Sequence, residues 1–96
     1  MSVKFQNGDI RDNGQLLGKL NGDVIRNATG TTLGRTRNDE IRSPVGALVC
    51  KVRNGSVYTA NGSRIGSVND YMIDGMQHEK DVNIVAAYHF LVKKFF

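Results

Sequence analysis

Apolar β-forming residues recur along this chain with a period of sixteen. Ile25, Ile41, Val57 and Ile73 fall in step, and Ile10 is their counterpart one unit earlier. A turn glycine follows each of the first four, at Gly14, Gly30, Gly46 and Gly62. A second apolar position holds Leu17, Leu33, Val49 and Ile65. The next residue is Gly18, Gly34, Cys50 or Gly66, and the unit ends on Leu20, Thr36, Val52 or Val68. The units cover residues 7–20, 21–36, 37–52 and 53–68, and a fifth runs over 69–75 before its pattern breaks. A fixed period of this length marks a repeat architecture, in which one small supersecondary unit is written several times.

The unit itself reads as a β-hairpin. Asn7-Gly8, Asn21-Gly22, Asn54-Gly55 and Asn61-Gly62 are dipeptides suited to turns with positive φ, the signature of tight hairpins. Val57 and Ile65 bracket one such turn, so each unit supplies two short antiparallel strands. Glycine inside a strand weakens pairing, so a recurring Gly18/Gly34/Gly66 position predicts close backbone approach, as where hairpins converge on an axis. Cys50 in that position reads as a small side chain rather than a reactive thiol. A single hairpin is marginal in water. The predicted fold is therefore all-β: five hairpin repeats closed in a pseudo-fivefold ring, with no long exposed edge. The whole chain, residues 1–96, is expected to form one domain.

From Gln77 the pattern changes. Ile84, Tyr88, Leu91 and Phe95 fall at helical spacing, Ala86-Ala87 favours helix, and Lys93-Lys94 suit a helix C-terminus. The spacing predicts one amphipathic helix over about 82–95, with Asn83 on its polar side, covering an open end of the ring as a lid. Phe90, Phe95, Phe96 and the two lysines also fit a membrane-surface anchor, but a face this poor in cations fits a lid better.

The spaced pattern NG-x-V/I…NG-x-x-I/L-G-x-V, with its apolar Phe-rich end, resembles the 5-fold beta-flower proteins, small repeat-built bacterial proteins met in Bacteroides-type organisms. The resemblance covers residues 5–75 and the segment 86–96. Unit three departs from it at Asn38-Asp39, Pro44-Val45-Gly46 and Cys50; Pro44 suits the second position of a turn. The resemblance implies an all-β fivefold fold and brings no catalytic residues. It also fits an envelope or secreted location for a chain whose leader has been removed; without one the reading is cytoplasmic.

Composition adds limits. Eleven glycines in 96 residues without Pro-rich or Ser-rich runs mean many turns rather than a linker. One cysteine excludes an internal disulfide. The first residues carry no apolar run of signal-peptide length, and the longest apolar stretch, 84–92, is far short of a membrane span. His78 and His89 are eleven apart, outside zinc-site spacing; no Walker or G-x-G-x-x-G loop and no G-x-S-x-G elbow occurs. The N-x-S/T sequences at Asn27, Asn54 and Asn61 read as turn chemistry. No catalytic, metal or cofactor site is predicted.

The formal charge of +4 favours anionic partners. One pattern sharpens this. Arg11, Arg26 and Arg42 share a position in units one to three, where Tyr58 and Asp74 follow. Lys19, Arg35 and Lys51 share another, where Ser67 follows. On a ring these six form a basic arc, the candidate anion-binding site. Without interleaved aromatics it suits an acidic glycan better than nucleic acid bases. The sequence thus predicts a non-enzymatic repeat protein of structural or interaction type. Its alternative reading is a binding module for an anionic polymer. A protein partner, or self-association through Tyr71, Met72 and Met76 of the irregular fifth unit, is the other expectation.

Overall fold

The computed structural model describes residues 3–94. Nine strands follow one another: β1 (Val3–Gln6), β2 (Asp9–Asp12), β3 (Gln15–Asn21), β4 (Val24–Asn27), β5 (Thr32–Arg37), β6 (Glu40–Arg42), β7 (Leu48–Arg53), β8 (Ser56–Thr59) and β9 (Arg64–Ser67). Each pairs antiparallel with the next, in sequence order. The fold is all-β, as the hairpin repeat predicts.

The inward side chains explain the period. Ile10, Ile25, Ile41 and Val57 sit on β2, β4, β6 and β8 and are fully buried, as is Ile73. Register places each between one side chain of the preceding strand and one small residue of the following strand. Ile10 lies between Phe5 and Gly18, and Ile25 between Leu20 and Gly34. Ile41 lies between Thr36 and Cys50, and Val57 between Val52 and Gly66. Immediately after each of these four residues the pairing to the next strand slips by a bulge. A bulge bends its strand and increases twist, so one bulge per unit curls the sheet around the apolar row. The N–H groups of Leu20, Thr36, Val52 and Val68 donate to the carbonyls of Gly8, Asp23, Asp39 and Gly55, tying each unit to the turn before it.

Two turn assignments need correction. The first turn of unit two is Gly22-Asp23 rather than Asn21-Gly22, because Asn21 is the last residue of β3 and pairs with Val24. Asn61-Gly62 is not a two-residue turn either. Thr59 N–H donates to Ser63 O at 2.8 Å, and of these two residues only Gly62 has positive φ, 95°. This is the three-residue hairpin loop with glycine in the left-handed position. Thr59 fixes it: its Oγ1 accepts from Ser63 N–H and donates to Asn61 Oδ1. Asn27 and Ser43 close the equivalent loops with their own side chains. Asn7-Gly8, Asn13-Gly14 and Asn54-Gly55 do have both residues at positive φ.

The all-β hairpin fold is not closed by hydrogen bonding into a continuous ring. The hydrogen-bonded sheet is open, since β9 and β1 do not pair. The reason lies in unit five. Its Asn69-Asp70 enter a 3-10 turn (Val68–Tyr71), where Asp70 Oδ2 accepts from Ser67 N–H, instead of a hairpin. The chain then passes β1 with a single parallel bridge, Lys4 to Asp74, in which Phe5 N–H donates to Asp74 O at 2.7 Å. Gly75, at φ 97°, turns it away against the Phe5 carbonyl, where a Cβ would not fit.

The C-terminal segment differs from the predicted lid. Helix α1 spans only Asp81–Ala87 and continues as one π-type turn, Tyr88–Val92, closed by Lys93 N–H on Tyr88 O. Lys93 is already extended, and Phe95 lies outside the described residues. The segment is not amphipathic: every residue from Val82 to Ala87 is buried. It fills the concave side of the sheet, packing on β5, β6 and β7, with the π-type turn on β3. Gly34 admits the Phe90 ring and Gly18 admits Leu91, at points where a Cβ would overlap those side chains. At Gly66 a Cβ would stand 2.8 Å from the Tyr71 hydroxyl. The small-residue position thus makes room for the C-terminal segment at Gly18 and Gly34 and for Tyr71 of the fifth unit at Gly66. Met76 is fully buried and Tyr71 and Met72 half-buried in the same core, which removes Met76 from any self-association surface.

Candidate anion-binding surface

Strand alternation sends the residues beside each buried isoleucine to the outer face. Register then pairs the basic positions across hairpins. Lys19 faces Arg26, Arg35 faces Arg42, and Lys51 faces Tyr58. Lys4 faces Arg11 in the first hairpin. Lys4 is a site residue missed from the sequence, although it stands fifteen residues before Lys19, the offset between Ile10 and Ile25. Three successive hairpins therefore carry a like-charged cross-strand pair.

The six predicted residues divide by what they touch. Arg11, Arg26 and Arg42 each donate from Nη1 to the carbonyl of their own turn glycine: Gly14 at 3.1 Å, Gly30 at 3.1 Å and Gly46 at 2.8 Å. These arginines clamp their turns. The wider loops of units two and three expose that carbonyl four residues on, a relation invisible before the loop geometry is known. Arg42 is held further by Glu40 Oε1, which accepts from Nε at 3.2 Å and Nη2 at 2.8 Å. Lys19 and Arg35 are exposed and their side chains make no hydrogen bond among the described residues; Lys19 stands 3.8 Å from Asp9. Lys51 is half-buried beside Tyr58.

Two hollows lie on this face. The first, beside β1 and β2, is about 540 Å³ and includes Lys4 and Arg11. Asp9 also lines it and pairs with both Arg11, at 3.4 Å, and Lys19, so one of its two positive charges is offset. The second, about 470 Å³, lies on unit three. Arg35, Arg37, Arg42 and Ser43 line it, with Pro44 and Val45 as an apolar wall. Arg37 is the other residue missed from the sequence. It follows Thr36 and projects to the same face as Arg35, which alternation along β5 would have signalled.

Elsewhere the chemistry is quiet. Burial pushes the Cys50 thiol up to about 12. His89 is buried against Phe90, and burial, with Lys94 nearby, lowers its pKa. Arg53 donates to Asp39 Oδ2 at 2.6 Å and holds that carboxyl below its usual range. Among the described residues, no group of three or more His, Cys, Asp or Glu side chains comes together as a metal site. No described helix is long and apolar enough to cross a membrane.

Comparison with known proteins agrees with this architecture. The family model described as "5-fold beta-flower protein" matches residues 3–92. Neither a curated protein nor a solved structure matches the chain significantly. The match takes in all nine strands, α1 and the π-type turn, and the chain belongs to the 5-fold beta-flower protein family.

Proposed function

We propose that the protein is a non-enzymatic interaction module that binds an anionic polymer across the outer face of its first three hairpins. One observation carries this reading: the repeated like-charged pairs Lys4–Arg11, Lys19–Arg26 and Arg35–Arg42. Like charges directly opposite on neighbouring strands destabilise a sheet by some tenths of a kcal/mol each. Lys19 and Arg35 reach neither the core nor a turn carbonyl; Lys19 has one exposed ion pair, with Asp9 at 3.8 Å, and Arg35 has none among the described residues, so the fold gains little from them. A polyanion laid along the arc removes the repulsion, and release of its counterions supplies affinity. The non-enzymatic part rests on the same chemistry: the face offers guanidinium and ammonium donors, with no activated nucleophile among them.

The test is retention on immobilised heparin and on a panel of acidic polysaccharides at two salt concentrations. Lys19→Gln/Arg35→Gln is the informative variant, because those side chains hold no turn. Arg26→Gln/Arg42→Gln removes charge and turn clamps together. Salt-sensitive retention by the natural protein, lost in Lys19→Gln/Arg35→Gln, is expected. Equal, weak retention by both overturns the reading and leaves the arc as a solvated surface.

A further inference from the structure

Unit three is where the repeat is least regular, and its irregularities converge on one hollow. The loops of units two and four present Ala28-Thr29 and Ala60-Asn61; unit three presents Pro44-Val45 at the same station. Val45 is 91% exposed, the most exposed large apolar side chain among the described residues. It stands beside the unit-three hollow with Arg35, Arg37 and Arg42. Nothing in the fold gains from an apolar side chain in water at this point.

The donors in the hollow are unevenly committed. A guanidinium carries five N–H donors. Arg42 commits three, to Glu40 and Gly46, which fixes its plane and leaves two. Arg35 and Arg37 commit none among the described residues. Ser43 Oγ accepts from Ala47 N–H and keeps its own hydroxyl proton to donate. Three guanidiniums against Glu40 leave the hollow with net positive charge. A pre-oriented arginine with two uncommitted ones beside it is suited to a planar or tetrahedral oxyanion, which takes paired N–H donors.

Resting on the polyanion reading above, we infer that the unit-three hollow is the gripping subsite for an acidic sugar. Arg35, Arg37 and Arg42 hold its carboxylate or sulfate, and the Pro44-Val45 wall covers an apolar face of its ring. The apolar wall decides between polymer classes. A sugar ring presents C–H groups to an aliphatic surface. A nucleotide base gains its contact energy by stacking on aromatic rings, and no aromatic residue lines this hollow. The first hollow lacks both features, having Asp9 among its lining residues and no apolar wall.

Calorimetric titration with a heparin-derived tetrasaccharide, and with a thymidine oligonucleotide of equal charge, tests this at one salt concentration. The variants are Arg37→Gln and Val45→Asn in the hollow and, as a control for lost charge away from the basic face, Lys93→Gln. None of these side chains is buried or holds a turn. Arg37→Gln is expected to weaken the tetrasaccharide about tenfold, the worth of a lost charge-assisted hydrogen bond. Val45→Asn should weaken it severalfold without changing the salt slope, and Lys93→Gln should barely change it. If immobilised heparin retains the protein but Arg37→Gln leaves the tetrasaccharide affinity unchanged, the subsite is overturned and the polyanion reading stands. If Val45→Asn has no effect, or the oligonucleotide binds as tightly as the tetrasaccharide, the assignment to sugar is overturned. If neither polymer nor tetrasaccharide binds, both readings fall.

Discussion

The Thr36 hydroxyl donates to Asn83 Oδ1 across 47 residues of sequence, both side chains buried. Thr36 is the one polar residue in a position otherwise filled by Leu20, Val52 and Val68. Asn83 is the polar residue among the buried α1 positions, and its Nδ2 donates to Gly22 O at 3.4 Å and Asp23 Oδ1 at 3.3 Å. Two exceptions to two apolar patterns satisfy each other. This pairing fixes how α1 sits in the curled sheet, because a rotated helix would bury an unpaired amide.

Thr36→Val is expected to destabilise the fold by about 1–3 kcal/mol, the cost of leaving a buried acceptor without its donor. The near-isosteric change isolates the hydroxyl. Thr36→Val/Asn83→Leu should cost less than the two single changes together, with a coupling of about 0.5–3 kcal/mol. Urea unfolding of all four proteins measures this; additive losses would rule out the pairing as the source.

Gly34→Ala should destabilise by about 1–3 kcal/mol through overpacking. Its Cβ would fall on the Phe90 ring and stand 2.9 Å from the Arg42 carbonyl. Gly34→Ala/Phe90→Leu should recover part of the loss, and the backbone contact should keep the rest. Gly30→Ala meets no neighbour, yet its φ of 91° makes it costly by strain alone, and no change at Phe90 should rescue it. Thermal unfolding of the set separates the two mechanisms.

Cys50 should be inert to a thiol reagent such as DTNB at pH 8 in the folded protein and react promptly in denaturant. It is fully buried, and burial pushes its thiol up to about 12, so little thiolate exists to attack. Prompt stoichiometric labelling under native conditions would contradict the burial.

His89 should make stability fall as acid is added. Burial lowers its folded pKa below the unfolded value of about 6.5. Between those two values the unfolded chain binds more protons, so stability rises with pH there. Full stability is present above about 6.5 and is lost as pH falls toward the folded pKa. The urea midpoint measured from pH 7.5 to pH 5 should decline in the natural protein and stay flatter in His89→Asn. A flat profile in both would show that folding leaves the histidine's pKa unshifted.

Arg42→Gln should lower stability by about 1 kcal/mol more than Arg35→Gln. Arg42 makes three hydrogen bonds to Glu40 and Gly46, whereas Arg35 makes none among the described residues. Equal unfolding midpoints for the two variants would show that the clamp on Gly46 contributes nothing.

Much of this architecture is written locally. The sixteen-residue period placed Ile10, Ile25, Ile41, Val57 and Ile73 in one buried row, because side-chain alternation and turn chemistry are properties of adjacent residues. The strand glycines announced a close approach for the same reason: only crowding justifies them. What they made room for was not readable, since Phe90 and Leu91 are over fifty residues from Gly34 and Gly18. The spacing of Ile84, Tyr88, Leu91 and Phe95 suggested an amphipathic lid. A helix enclosed by a curled sheet has no solvent side, and Asn83 became its internal anchor.

The basic positions divide in the same way. Their recurrence was plain in the sequence, and it placed them on one face. The turn clamps at Arg11, Arg26 and Arg42, and the gathering of Arg35, Arg37 and Pro44-Val45 around one hollow, depend on loop geometry and cross-strand register. The open edge between β9 and β1 followed from Asp70 capping a 3-10 turn where a hairpin turn was expected. The sequence by itself determined the unit, its inward and outward faces and its repetition, because those are set within about sixteen residues. Tertiary structure decided where the repetition stops, what fills its centre and which outward charges meet, because each depends on contacts between residues far apart in the chain.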